Sequence, residues 1–230
     1  MNKIYKATLL AALGLSGVLS AQAATYNGDL LVGFTTQSGN DLIYDLGSTA
    51  SLLSGQTWNL TALLTGYNLN AVNWGLIGDA NLSGIHTAWS STEGVTPGSI
   101  PSTAAWGKID TAVKSIYQNF GAAGAGQSLS IDSADDNSWN HQTVSPSLTT
   151  QYANVYGNPN VVGLTSASLF SAVGDGSTPS LLGTFSLNSS SVLTYSATPA
   201  PEPGTFALIG GGAALLLVFR NKFRRPNSQS

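Results

Sequence analysis

The sequence predicts a mainly β protein: a sandwich or jelly-roll-like pair of sheets carrying one packed amphipathic helix, with a transmembrane helix near the C-terminus. Three observations lead there. Short stretches of alternating apolar residues recur along the chain, beginning with Leu30, Val32 and Phe34. The segments between them are rich in Ser, Thr, Asn and Gly, the residues of turns. One stretch alone, Ala105 to Phe120, keeps its apolar residues at three- and four-residue spacing. Trp58, Trp74, Trp89, Trp106 and Trp139 add too much apolar surface for a disordered chain.

Taken in order, Leu30, Val32 and Phe34 alternate on one face, Gln37 to Asn40 supply turn residues, and Leu42, Tyr44 and Leu46 alternate again, which predicts a hairpin. Ser48 to Leu53 and Asn59 to Leu64 read as two short helices, capped by Ser48 and Asn59. Asn70 to Ile77 reads as a strand and Ile85 to Ser90 as its antiparallel neighbour across a Gly78 to Gly84 turn. The amphipathic helix follows Pro101 and stops at Gly121, with Ile109, Val113, Ile116 and Tyr117 on one face and Lys108, Asp110, Thr111 and Lys114 on the other. Leu129 and Ile131 mark a strand, and Leu148 to Val155 a second helix ended by Gly157, Asn158 and Pro159. Ala167 to Ala172, Leu181 to Leu187 and Val192 to Tyr195 read as strands, the last two joined by a turn over Asn188 to Ser191. No period of about 20 to 50 residues repeats, which excludes a solenoid.

Composition narrows the function. Between Ala24 and Ala200 two lysines, Lys108 and Lys114, face ten acids and there is no arginine, a net charge of −8. Phosphate neutralisation needs clustered Lys or Arg, so nucleic acid is not an expected partner. The chain has no cysteine, which rules out a thiol nucleophile, thiolate metal ligands and disulfides, and leaves the domain to its core.

The two ends carry addresses. Lys3 and Lys6 precede an apolar stretch from Ala7 to Val18, and Ala21-Gln22-Ala23 is a small-x-small pattern. Residues 1–23 therefore read as a secretory signal peptide cut between Ala23 and Ala24, handled by the Sec machinery and signal peptidase. At the other end come Pro201, Glu202 and Pro203, an apolar helix over about residues 204–219, and the cations Arg220, Lys222, Arg224 and Arg225. The apolar run from Thr205 to Phe219, fifteen residues, rises roughly 22 Å as a helix, short of the ~30 Å hydrocarbon core, so the span is marginal and its flanking cations must snorkel. Four cations after the run place that end in the cytoplasm and the preceding domain outside. Proline fixes φ and disfavours helix in the residue before it, so residues 199–203 read as extended, a conformation that a protease accepts and a stiff spacer shares.

This order of Pro-Glu-Pro, a short glycine-containing apolar helix and an Arg-rich end resembles the PEP-CTERM sorting signal of exported proteins in Gram-negative bacteria. The match covers residues 199–225, with Pro201, Glu202 and Pro203 on the motif and Arg220, Arg224 and Arg225 on the basic end, and a tail over 226–230 follows. Residues 24–198 form the exported domain. Its Asp-Leu-Leu-Val-Gly-Phe at Asp29, Val-Asn-Trp-Gly at Val72 and closing hairpin are similar to uncharacterised domains of that group. The resemblance implies recognition by exosortase, a membrane protease, then passage of an inner-membrane-tethered precursor from the periplasm to the cell surface or matrix. It also implies an association with exopolysaccharide and biofilm.

Motifs of catalysis are few. His86 and His141 are the only histidines, so a Ser-His-Asp site would need one of them. Carboxylates for glycoside hydrolysis could be drawn from Asp110, Glu93 or Asp132. Asp132, Asp135, Asp136 and Asn137 offer four oxygen ligands in six residues, the beginning of a calcium site, but the spacing is neither that of an EF-hand nor of a nonapeptide repeat and a solvated loop is the preferred reading. No cofactor is expected. The leading expectation is a non-enzymatic surface or matrix protein. The alternative is a secreted hydrolase or calcium-assisted carbohydrate-binding module, which would show Trp58, Trp89 or Trp139 exposed on a concave face beside carboxylates.

Overall fold

A computed structural model describes residues 27–198, apart from 95, 99–101, 121–123 and 146–147. The domain is mainly β. Ten strands, β1 (Asp29–Thr35), β2 (Asn40–Ser48), β3 (Thr57–Asn59), β4 (Asn73–Leu82), β5 (Ile85–Thr92), β6 (Ser128–Asp132), β7 (Asn160–Val162), β8 (Ala167–Val173), β9 (Ser180–Leu187) and β10 (Val192–Ala197), belong to one sheet. Every pairing is antiparallel, in the order β3-β10-β9-β8-β5-β4-β1-β2-β6. β7 lies off this path against the first residues of β4. The strands expected as two facing sheets are thus one curled sheet. Its curl closes the core that a second sheet would have closed: Leu30, Val32 and Phe34 of β1 share one apolar cluster with Phe185, Leu187, Leu193 and Tyr195 of β9 and β10. Leu60, Leu64 and Val72, from the connection between β3 and β4, complete it.

The opposite face is covered by helices. α1 (Thr103–Tyr117) lays Trp106, Ile109, Val113 and Ile116 against Leu31, Ile43, Ile77 and Ala88. The expected amphipathic stripe is the one that packs. Ser102 caps it, its Oγ accepting from Ala105 N at 3.4 Å, an interaction worth about 1 kcal/mol. The helix ends at Tyr117, and Gly121, expected to stop it, lies outside the described residues. α2 (Tyr152–Tyr156) is shorter than expected, because residues 148–151 form a turn in which Gln151 N donates to Leu148 O and Gln151 Oε1 accepts from Leu148 N. Tyr152 and Tyr156 join the same cluster.

The first hairpin, the strands at residues 167–197 and the closing turn at Asn188 to Ser191 stand where expected. Three local expectations change. Ser48 does cap a helical turn, but one of only three 3-10 residues, Thr49–Ser51. Asn59 ends β3, and Leu60 to Leu64 make a single turn instead of a helix. The Gly78 to Gly84 turn contracts to Ser83 and Gly84, both with positive φ, while β4 runs on through Gly78 to Leu82. Gly78 is there for closeness: a Cβ would stand 2.6 Å from Asp29 O and 3.1 Å from the Trp89 ring.

Gly33 in β1 is tighter still. A Cβ there would fall 1.8 Å from the indole of Trp139, which is fully buried and occupies the place of the missing side chain. Trp139 precedes a π-helical turn over Asn140–Val144 that periodicity did not indicate. Overpacking of this kind costs about 1–3 kcal/mol. Gly33→Ala is therefore expected to lower stability by at least that much, read as an earlier urea midpoint with loss of near-ultraviolet indole ellipticity; an unchanged midpoint would contradict the packing described.

Candidate functional site

The residues that carried the sorting expectation, Ala23, Ala24, Pro201, Glu202, Pro203, Arg220, Lys222, Arg224 and Arg225, lie outside the described residues, as does the expected transmembrane helix. Among the described residues no helix is long and apolar enough to cross a membrane. The domain stays tied to its last described position: Thr198 N donates to Leu182 O at 2.9 Å, and its Oγ1 to the same carbonyl at 3.0 Å. Pro201 is three residues further on.

The tryptophans do not form a platform. Trp74, Trp106 and Trp139 are fully buried and Trp89 nearly so, while Trp58 is half-buried with its ring centroid 5.8 Å from that of Phe185. The exposed concave row that a sugar-stacking module would need from Trp58, Trp89 and Trp139 is not there.

The aspartates at 132–136 act locally. Asp132 Oδ1 accepts from Ala134 N at 2.9 Å and Asp135 Oδ1 from Asn137 N at 2.8 Å, the pattern of Asx turns. Asp136 Oδ1 meets His141 Nδ1 at 3.2 Å. Among the described residues, no group of three His, Cys, Asp or Glu side chains converges as a metal site. Ser138 completes a Ser, His and Asp set in sequence but not in function. Its Oγ is buried, donates to Ser133 O at 3.0 Å and accepts from the backbone N of His141, with no contact to the imidazole. The second histidine, His86, stacks on Trp106 with centroids 5.6 Å apart.

Sequence reasoning missed a line of polar groups between α1 and the sheet. Asp110, Lys114 and Tyr117 recur at helical spacing on α1: Asp110, expected on the outer polar face, meets Asp79 of β4 and pairs with Lys114, and Tyr117 meets Asp29 of β1 and Asp45 of β2. Tyr117 OH donates to Asp45 Oδ2 at 2.8 Å and lies 3.4 Å from Asp29 Oδ2. Burial between two carboxylates holds this phenol well above its usual range, and burial followed by the charge of Asp45 raises Asp29. Asp79 shares a hydrogen bond with Asp110, whose Oδ2 also accepts from Lys114 Nζ at 2.7 Å. Burial first, then the neighbouring charge and hydrogen bond of Asp110, push Asp79 up to about 7. The proton belongs with Asp79, because its Oδ1 is buried without a partner and an ionised carboxylate there would be uncompensated. Of the carboxylates suggested for glycoside hydrolysis, Asp110 pairs with Asp79. With Asp79 only 1% exposed, the pair fastens α1 to the sheet.

An open cleft of about 510 Å³ lies where the β1–β2 turn, the residues around Thr65 and the edge strand β6 meet. Thr36, Ser38, Thr65, Ser128 and Ser130 bring hydroxyls to it, Asn40 an amide and Tyr67 a half-buried ring. Leu42 and Leu63 supply apolar surface, and no charged side chain lines it. Its walls are braced: Tyr67 OH donates to Asn40 O at 2.7 Å, and Asn40 Nδ2 to Ser130 Oγ at 3.2 Å. Burial, then the charge of Asp41, hold the Tyr67 phenol at about 12, so it remains neutral.

Fold and site together define a class: an acidic, cysteine-free antiparallel β domain, helix-covered on one face, with a neutral polar cleft at its edge. No family model, no curated protein and no solved structure matches the chain.

The Asp79 pair makes stability depend on pH in a stated direction. A carboxyl whose folded value is raised from 3.8 to about 7 contributes fully below 3.8, and that contribution is lost as pH rises to about 7. Asp79→Asn keeps a permanent donor toward Asp110. Relative to the parent, it is expected to be more stable at pH 8, with the difference closing near pH 4, in urea unfolding at pH 4, 6 and 8. Parallel profiles would count against a shared proton.

Proposed function

We propose that the chain is an exported cell-surface or extracellular-matrix protein, sorted by its C-terminal Pro-Glu-Pro signal and released by an exosortase-like membrane protease. Its role is structural or polysaccharide-associated, without catalysis. The observation that carries this reading is the three-part tail, Pro201 to Pro203, the apolar run and Arg220 to Arg225, set directly after a domain whose last described tether is Thr198. A folded unit followed within a few residues by a proline-rich segment suits a protease acting at the membrane face, because the cut leaves the fold intact.

The interior of the domain supports a non-enzymatic role. Its two histidines serve stacking and a surface contact, its paired carboxyls fasten α1, and its tryptophans fill the core. The tryptophan-based module has no platform among Trp74, Trp89, Trp106 and Trp139, which are buried.

Mass spectrometry of the protein recovered from the surface or medium of its native cells tests the sorting. A new C-terminus near Pro201 to Pro203 and an N-terminus at Ala24 are expected. A surface species that still ends at Ser230 would refute processing, and Pro201→Ala with Pro203→Ala is expected to retain the precursor in the inner membrane.

A further inference from the structure

We propose that the cleft between the β1–β2 turn, Tyr67 and strand β6 is a binding site for a neutral, polyhydroxylated chain, a segment of uncharged glycan. This deepens the polysaccharide-associated reading of the preceding section and rests on it for the source of the ligand. The chemistry comes from the cleft itself.

The lining selects against charge. The exported domain carries ten acids against two lysines, yet none of these side chains lines the cleft. A cation would find no carboxylate there, and an anion no counter-charge. What the walls offer is hydroxyls and one amide, groups that both donate and accept and so match sugar hydroxyls, which do the same. Apolar surface from Leu42 and Leu63 and the ring of Tyr67 suit the C–H face of a pyranose. A volume of about 510 Å³ falls within the usual range of ligand pockets, and the cleft's openness to solvent suits a chain that continues beyond the site.

The cleft is also preorganised. Two hydrogen bonds join its three segments: Tyr67 reaches back to the carbonyl of Asn40, and the Asn40 amide reaches across to Ser130 on the edge strand. Below them, Asn40 and Leu42 are held in register by pairing with Asp132 and Ser130. Walls fixed before the ligand arrives reduce the entropy lost on binding, which matters for a weak, hydroxyl-rich ligand. Thr36 and Ser38, at the turn, and Ser128, at the start of β6, are exposed and set the rim.

The test is calorimetric titration of the full-length chain in detergent with three neutral hexasaccharides, cellohexaose, laminarihexaose and maltohexaose, and with anionic hexagalacturonate. At least one neutral sugar is expected to bind, and hexagalacturonate more weakly. Ser128→Arg and Thr65→Arg place a bulky cation on opposite walls at exposed positions. Each is expected to weaken the neutral sugar at least tenfold with an unchanged melting temperature. No heat from any neutral hexasaccharide, tighter binding of hexagalacturonate to the parent chain, or binding indifferent to both arginines would overturn the assignment. The readout does not involve the tail, so it fails or succeeds separately from the processing of Pro201 to Pro203.

Discussion

The structure depends on a contact between a ring and a bare backbone. Trp139 occupies the space over Gly33, at the centre of β1, where any side chain would collide with it. Its indole N–H donates to Asn160 Oδ1 at 2.8 Å, and Asn160, through its amide, reaches Thr143 Oγ1 at 3.0 Å. Thr143 Oγ1 in turn donates to the carbonyl of Trp139 at 2.7 Å, closing the loop on the π-helical turn. From that turn, Asn140 N donates to Asp41 Oδ2 at 2.6 Å. One large side chain thus fixes β1, β2, β7 and the irregular segment before α2 relative to one another. Without it the outer face of the sheet would lose part of its cover, while β7 would still hold β4 through its ladder and through the Trp74 indole N–H, which donates to Gly163 O at 2.7 Å.

Burial of the sheet on both faces explains what could and could not be read in the sequence. Leu30, Val32 and Phe34 announced a strand with one buried face, and they do fill the inner core, but Leu31 is buried on the other side as well. The α1 stripe was legible because a helix with Ile109, Val113 and Ile116 in line has a single way to pack. The single curled sheet was not legible, since alternation gives the face of each residue and not whether distant strands join one sheet or two. β3 and β7, three residues each, are too short for any period to register. Gly78 misled because glycine serves both turns and close approaches, and only the positions of Asp29 and Trp89 decide between them.

The candidate sites were less legible than the fold. Density of aspartate at 132–136 drew attention to a loop where Asp132 and Asp135 close Asx turns, while the aspartates that matter to packing, Asp29, Asp45, Asp79 and Asp110, lie far apart in the chain and meet only through strand pairing and the docking of α1. The cleft left no motif at all. Its hydroxyls come from three segments in a chain full of Ser and Thr, and nothing distinguishes Ser130 from other serines until β6 pairs with β2.

The same double burial determines where this domain can meet a ligand. Helices cover one face of the sheet and its own curl closes the other, so large flat surfaces are spent on stability and contact must come at edges and loop rims. Strand β6 is one of the two edges of the strand order and stands against β2 alone. An edge left bare invites pairing with other chains, and β6 limits this by its shortness, by the charge of Asp132 at its end and by the cleft wall it forms. A ligand held along that wall by hydroxyls would leave both cores undisturbed. The domain would then need no moving part and no charged residue at the site, in keeping with aspartates already engaged in holding α1 and in closing turns.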